Sequence, residues 1–346
     1  MADEQPKPTV SIVIPCYNEE ESFSQLRTAL KDLTRKLASR YETEIVLVDD
    51  GSRDETWARI QHFAAADNHV RGIALSRNFG HQVALTCGYD MAAGDAVVSM
   101  DADLQDPPEV VLEMVKKWEE GADIVYGVRS QRAGETSLKL LTAALFYRLF
   151  HALGRSQAPL DCGDFRLMSR RALEALRRMR EQHRYVRGMV GWLGFQTAVV
   201  EYERQARVAG QTKYSYCRML AFALDGLVSF SSFPLRCSYI FAFAFSLLVL
   251  LYLLYSLIAH VLFHAELVKG WTSLLLTTTI FGFLNLLSLG LIGEYIGRIY
   301  DEIKGRPLYL IKDLAVPPAP AKPPQPPAGP PQAPAAPPRT GRPAGQ

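Results

Sequence analysis

Two stretches in the last third of the chain limit its fold most: Cys237 to Phe263 and Trp271 to Gly293 contain no Asp, Glu, Lys or Arg. Each exceeds the roughly 20 apolar residues that cross about 30 Å of hydrocarbon. A helix on a soluble core keeps one polar face instead. The pattern predicts transmembrane helices over 235–263 and 271–295, joined by the short connector His264 to Gly270 into a hairpin. Arg218 and Arg236 precede the first run, and Arg298, Lys304, Arg306 and Lys312 follow the second. Basic flanks stay on the cytoplasmic side, so both chain ends are expected in the cytoplasm. Met1 to Pro8 is polar and proline-broken, and no signal peptide is expected there.

The region before the hairpin reads differently. Val10 to Ile14, Glu44 to Val48, Val70 to Leu75, Ala96 to Met100 and Ile124 to Tyr126 are short runs rich in β-branched residues, the pattern of buried strands. Helical patterns lie between them, from about Glu19 to Ser39, Glu55 to Ala66, Gly80 to Ala92 and onward from Pro107-Pro108-Glu109; Asp54 suits the N-cap of the second. Alternating strands and helices predict an α/β domain with a doubly wound, mostly parallel sheet, spanning 10–213 after a short tail at 1–9. Amphipathic helices are expected at 137–153 and 214–233, where they suit a membrane interface. A cytoplasmic segment follows at 296–314. From 315 to 346 the chain is Pro- and Ala-rich and is expected to be disordered.

Charge and cysteines remove other classes. With 38 basic against 36 acidic residues, no charge excess suits a nucleic acid. Five scattered cysteines without C-x-x-C spacing fit reduced cytosolic thiols better than a disulfide frame or a zinc site.

Ligands of open α/β sheets sit at the carboxyl ends of the strands, and the polar clusters fall there. Asp101-Ala102-Asp103 follows a strand, and its two carboxylates can face one hard cation. Pro15-Cys-Tyr17-Asn18-Glu19, Asp49-Asp50-Gly51-Ser52 and Ser76-Arg-Asn78-Phe-Gly80 end three further strands. Asn and Asp side chains suit a base edge and ribose hydroxyls, and Tyr17 offers a stacking face. Neither a G-x-x-x-x-G-K-[ST] loop nor G-x-G-x-x-G occurs, which removes support for kinases and dinucleotide enzymes.

Together, Ser11 to Glu19, Val48 to Ser52, Ser76 to Gly80 and Met100 to Glu109 resemble glycosyltransferase family 2. More narrowly, the chain is similar to the bacterial polyprenyl-phosphate glycosyltransferases, relatives of dolichol-phosphate mannose synthase with a C-terminal membrane hairpin. The resemblance covers about Val10 to Leu314. It implies a GT-A fold, a place in the bacterial cytoplasmic membrane, and inverting transfer of a sugar from a nucleotide donor to a lipid phosphate. It further implies that Asp101, Asp103 and Gln105 hold Mg²⁺ or Mn²⁺. Pro15, Tyr17, Asn18, Glu19, Asp49, Asp50, Asn78, Asp101 and Ala102 would line the donor nucleotide site. Asp161-Cys-Gly163-Asp164-Phe-Arg166 is similar to the family's acceptor-side motif, so Asp161 and Asp164 join Asp103 as catalytic candidates. Arg129, Lys139, Arg166 and Lys213 are the cations expected around the acceptor phosphate. The resemblance and the paired apolar helices also suggest a homo-oligomer, a tetramer among the options.

Competing readings lose on particular features. Processive polysaccharide synthases carry Q-x-x-R-W, absent here, and a non-catalytic scaffold would need none of Asp101, Asp103 and Gln105. Two apolar spans with few polar residues give a sugar headgroup no flippase path. Glucose from UDP-glucose is favoured by the runs Asp101 to Glu109 and Asp161 to Arg166. Mannose, galactose, N-acetylhexosamine and an aminoarabinose derivative stay open.

Overall fold

The computed structural model describes residues 7–129, 162–203, parts of 243–258, and 270–316. The expected helices at 137–153 and 214–233, the side chains of Lys139, Asp161 and Lys213, and the tail beyond 316 lie outside these residues.

Eight strands form one sheet in the order β7-β5-β6-β4-β1-β2-β3-β8. β1 (Thr9–Cys16), β2 (Glu42–Asp49), β3 (Val70–Leu75) and β4 (Ala96–Ser99) are buried almost throughout and pair in parallel. Their unbroken β-branched runs suit a layer covered on both faces. β5 (Ile124–Arg129) pairs in parallel with β7 (Thr197–Tyr202). β6 (Cys162–Ser169) runs antiparallel between β4 and β5, and β8 (Ile311–Ala315) runs antiparallel along β3. The sheet is thus mostly parallel, as expected, with two reversed strands that the sequence pattern did not announce.

The helices before β5 follow the expected order. α1 (Phe23–Leu37) buries Phe23, Leu26, Leu30, Leu33 and Leu37, a single stripe at helical spacing. α2 (Thr56–Ala66), α3 (His81–Met91) and α4 (Val110–Glu119) come next. Glu55, not Asp54, occupies the cap position of α2, although the Asp54 carboxylate accepts from the Thr56 N–H at 3.1 Å. The sequence did not foresee α5 (Arg170–Arg177) and α6 (Val186–Trp192).

α7 (Trp271–Ile303) extends past the uncharged run and carries Glu294, Arg298 and Asp301. Among the described residues it is the one helix long and apolar enough to cross a membrane, and its hydrophobic window is not buried. The described residues between 243 and 258 are also helical. After α7 the chain returns to the α/β domain. Gln182 donates to the Glu302 carboxylate and the Arg306 carbonyl, both at 2.7 Å, and the Tyr309 hydroxyl reaches Asp90 at 2.9 Å. β8 then closes the sheet edge.

Candidate active site

Register brings the functional side chains to one end of the sheet. β1 to β4 all end there. Because β6 runs backwards, with Ser99 opposite Arg166 and Val128 opposite Cys162, its first residues meet the ends of β4 and β5. β7 matches β5 residue for residue, so Tyr202 stands beside Arg129.

The first wall joins the loops after β1, β2 and β3. The Asn18 N–H donates to Ser52 Oγ at 2.9 Å, and Asn18 Oδ1 accepts from the Arg53 N–H at 2.9 Å. Glu19 receives a hydrogen bond from Ser22 Oγ at 2.7 Å. Asp49 and Asp50 are buried, and burial raises both carboxyls above their ordinary range. The Asp50 oxygens accept from the N–H groups of Phe79 and Gly80 at 2.7 and 2.9 Å. Asp50 therefore fixes the loop of Asn78. Gly51 has φ +67°, and a Cβ there would lie 2.5 Å from the Arg77 carbonyl carbon, so the two loops meet only because that residue is glycine. Tyr17 remains 42% exposed.

The second element is the turn after β4. Asp101, Asp103 and Gln105 are half-buried, and Ala102 is buried beneath them. Asp103 Oδ1 accepts from the Gln105 N–H at 3.1 Å. Leu104 has φ 55° and Asn18 φ 54°; among the described residues no other non-glycine residue has positive φ. Left-handed backbone costs a side chain such as leucine about 1–2 kcal/mol, and such strain gathers where a loop must aim its groups. Burial pushes the Asp101 carboxyl up to about 6, with Asp164, Asp106 and Asp103 adding to the rise against the opposing pull of His81.

The third element is a charge cluster on β6. Asp164 is buried, and the Arg166 guanidinium donates to it at 2.6 Å. Arg187, on α6, donates from Nε and Nη2 at 3.1 and 3.0 Å. His81 Nε2 lies 3.3 Å from Asp164 and 3.7 Å from Asp101, so it bridges this cluster and the β4 turn. Gln82 also donates to Asp164, at 3.2 Å. Burial alone would raise the Asp164 carboxyl; the His81 hydrogen bond and the charges of Arg187 and Arg166 outweigh it and hold the group well below its ordinary range.

Two of the cations expected at the acceptor phosphate, Arg166 and Arg129, have partners within the protein. Arg166 is fully buried and bonded through Nη2 to Asp164 and the Gly163 carbonyl, while its Nε and Nη1 have no hydrogen-bond partner among the described residues. Arg129 stands 3.6 Å from the buried Asp106 and donates to the Tyr202 hydroxyl at 3.4 Å, while Tyr202 hydrogen-bonds Asp106 in turn. His81, Arg187 and Asp106 were missed in the sequence. A signal existed for one of them: Asp106 adjoins the expected ligands. His81 and Arg187 become neighbours only through the fold.

With this geometry in place the class is clear: the chain belongs to glycosyltransferase family 2, whose model, "Glycosyl transferase family 2", matches residues 11–177. The sheet and its site loops form the GT-A arrangement. The uncharacterized glycosyltransferase YkcC of Bacillus subtilis is 44% identical over 302 residues, 87% of this chain and 93% of that one. The SfII prophage-derived bactoprenol glucosyl transferase of Shigella flexneri is 41% identical over 304 residues, covering 88% and 97%. Among solved structures, glucosyl-3-phosphoglycerate synthase from Mycobacterium tuberculosis aligns with a TM-score of 0.44 and 21% identity over 64% of this chain and 79% of that one, a likeness too distant to carry chemistry across.

Proposed function

We propose that the protein transfers glucose, with inversion, from UDP-glucose to a polyprenyl phosphate such as undecaprenyl phosphate at the cytoplasmic face of a bacterial membrane. The observation that carries this reading is the 41% identity, over nearly the whole length, to proteins named bactoprenol glucosyl transferase. It is supported by the carboxylates of the β4 turn standing next to Asp164 and Arg187, with His81 between them.

The oxygen-only set Asp101, Asp103 and Gln105 fits Mg²⁺ or Mn²⁺. Burial first, and the nearby Asp164, Asp106 and Asp103 after it, raise the Asp101 carboxyl, and a cation held there would favour its ionised form. When bound it would neutralise charge on the departing diphosphate. Tyr17 and the loops of Pro15, Asn18, Glu19, Asp49, Asp50 and Asn78 would hold the nucleoside.

The acceptor sets the rest of the chemistry. A phosphate monoester has a second pKa near 6 and is largely a dianion at neutral pH, so it attacks the anomeric carbon without a strong base. Asp164, held ionised among cations, orients them and takes no proton; Asp161 is proposed to join it in the reaction. Arg129, Lys139 and Lys213 are proposed around the acceptor phosphate, and positioning supplies most of the acceleration. Two spans over 235–263 and 271–295, both termini in the cytoplasm, and a homo-oligomer complete the proposal.

The test offers purified protein a panel of UDP- and GDP-sugars with undecaprenyl phosphate and Mg²⁺ or Mn²⁺, then weighs the lipid product. A lipid heavier by one hexose, formed from UDP-glucose in preference to the others, is expected. A product from another donor alone would replace the sugar assignment, and no lipid product from any donor would end the reading.

A further inference from the structure

The buried Asp164 faces two guanidiniums, Arg166 at 2.6 Å and Arg187 at 3.0 Å. One carboxylate against two permanent cations leaves one positive charge unmatched. Arg166 is wholly enclosed, whereas the Arg187 side chain is 34% exposed, so the excess charge reaches solvent at Arg187. Its Nε and Nη2 are held by Asp164, and its Nη1 makes no hydrogen bond among the described residues. A guanidinium anchored by one edge presents the other as a rigid donor pair, a geometry suited to phosphate oxygens. Its place is also set: His81 spans from Asp164 to Asp101, so Arg187 stands one side chain away from the carboxylates of the β4 turn.

We infer that Arg187 is a phosphate-binding residue of the transfer reaction, held by Asp164 and taking the position that the buried Arg166 cannot. The inference rests on the glycosyltransferase reading above. Phosphate oxygens are present on both the donor diphosphate and the lipid acceptor, and the two are separated by experiment.

Arg187→Gln and Arg187→Lys are compared with wild type by transfer kinetics with each substrate varied, by UDP-glucose binding without lipid, and by thermal melting. Losing a charge-assisted contact raises the relevant KM roughly 10- to 100-fold, and the lysine variant recovers part of it. A rise in the lipid KM alone assigns the contact to the acceptor; a rise in the UDP-glucose KM with weaker lipid-free binding assigns it to the donor. Should the glutamine variant fail to fold, the lysine variant, which keeps a charge for Asp164, decides by the same KM values. Both KM values within about twofold of wild type in a folded variant would overturn the inference, as would a fall in kcat alone. If wild-type protein makes no lipid product, the underlying reading fails instead, and the binding arm still reports on Arg187 and the nucleotide.

Discussion

The two sides of the sheet solve different problems with different means. Where β6 meets β4, the structure buries Asp164 and Arg166 side by side, strains Leu104 into a left-handed turn and knits loops through single hydrogen bonds. At the other side, β8 lies on β3 as an edge strand whose side chains are mostly exposed, including Lys312 and Asp313, charges that discourage further edge pairing. The first region fixes charges in space, which demands particular residues. The second ties the end of α7 to the α/β domain through backbone pairing, which tolerates many. The two also touch: Gln182 and His183, which meet the end of α7, lead straight into α6 and Arg187.

The comparison breaks most visibly under removal of one carboxylate from each region. Asp164→Asn leaves the buried Arg166 without its charge partner, and unfolding measurements should record a loss of about 3–5 kcal/mol. Asp313→Asn, at the exposed edge, should stay within about 0.5 kcal/mol of wild type. Acid sharpens the contrast. The folded-state value of Asp164 lies below the unfolded one, so its contribution is complete above the unfolded carboxylate value near 3.9. It is lost only as pH falls through the lower folded value. The stability gap between wild type and Asp164→Asn should therefore persist at mildly acid pH and close well below 4, as followed by urea melts across pH.

A smaller effect is expected at the joint of the nucleotide loops. Gly51→Ala forces a side chain against the Arg77 backbone and should cost about 1–3 kcal/mol, with UDP-glucose binding weakened in proportion as the loop shifts. A further small effect is expected where the chain returns from α7 to the α/β domain. Tyr309→Phe removes the hydroxyl bond to Asp90, worth about 0.5–1.5 kcal/mol, and transfer by detergent-solubilised protein should be unchanged.

The same contrast explains what could be read from residues alone. β1 to β5 were legible because buried parallel strands need continuous β-branched runs, and the strand-end position of Asp101 and Asp103 followed from them. β6 was not: Cys-Gly-Asp-Phe-Arg-Leu-Met-Ser contains no β-branched residue, and only pairing with β4 turns Arg166 inward. That burial sets Arg166 against Asp164. His81 and Arg187 lie 106 positions apart in the sequence, and no spacing rule joins them. β8 lacked any buried face to betray it, being held by backbone hydrogen bonds that every residue offers.

The central claim is that sugar transfer occurs at the β4 turn, and Asp103→Asn tests it most directly. Transfer of glucose from UDP-glucose to undecaprenyl phosphate is measured beside thermal melting. The account predicts an unchanged melting temperature with turnover reduced by about 10²-fold or more. Wild-type turnover in the folded variant would contradict it.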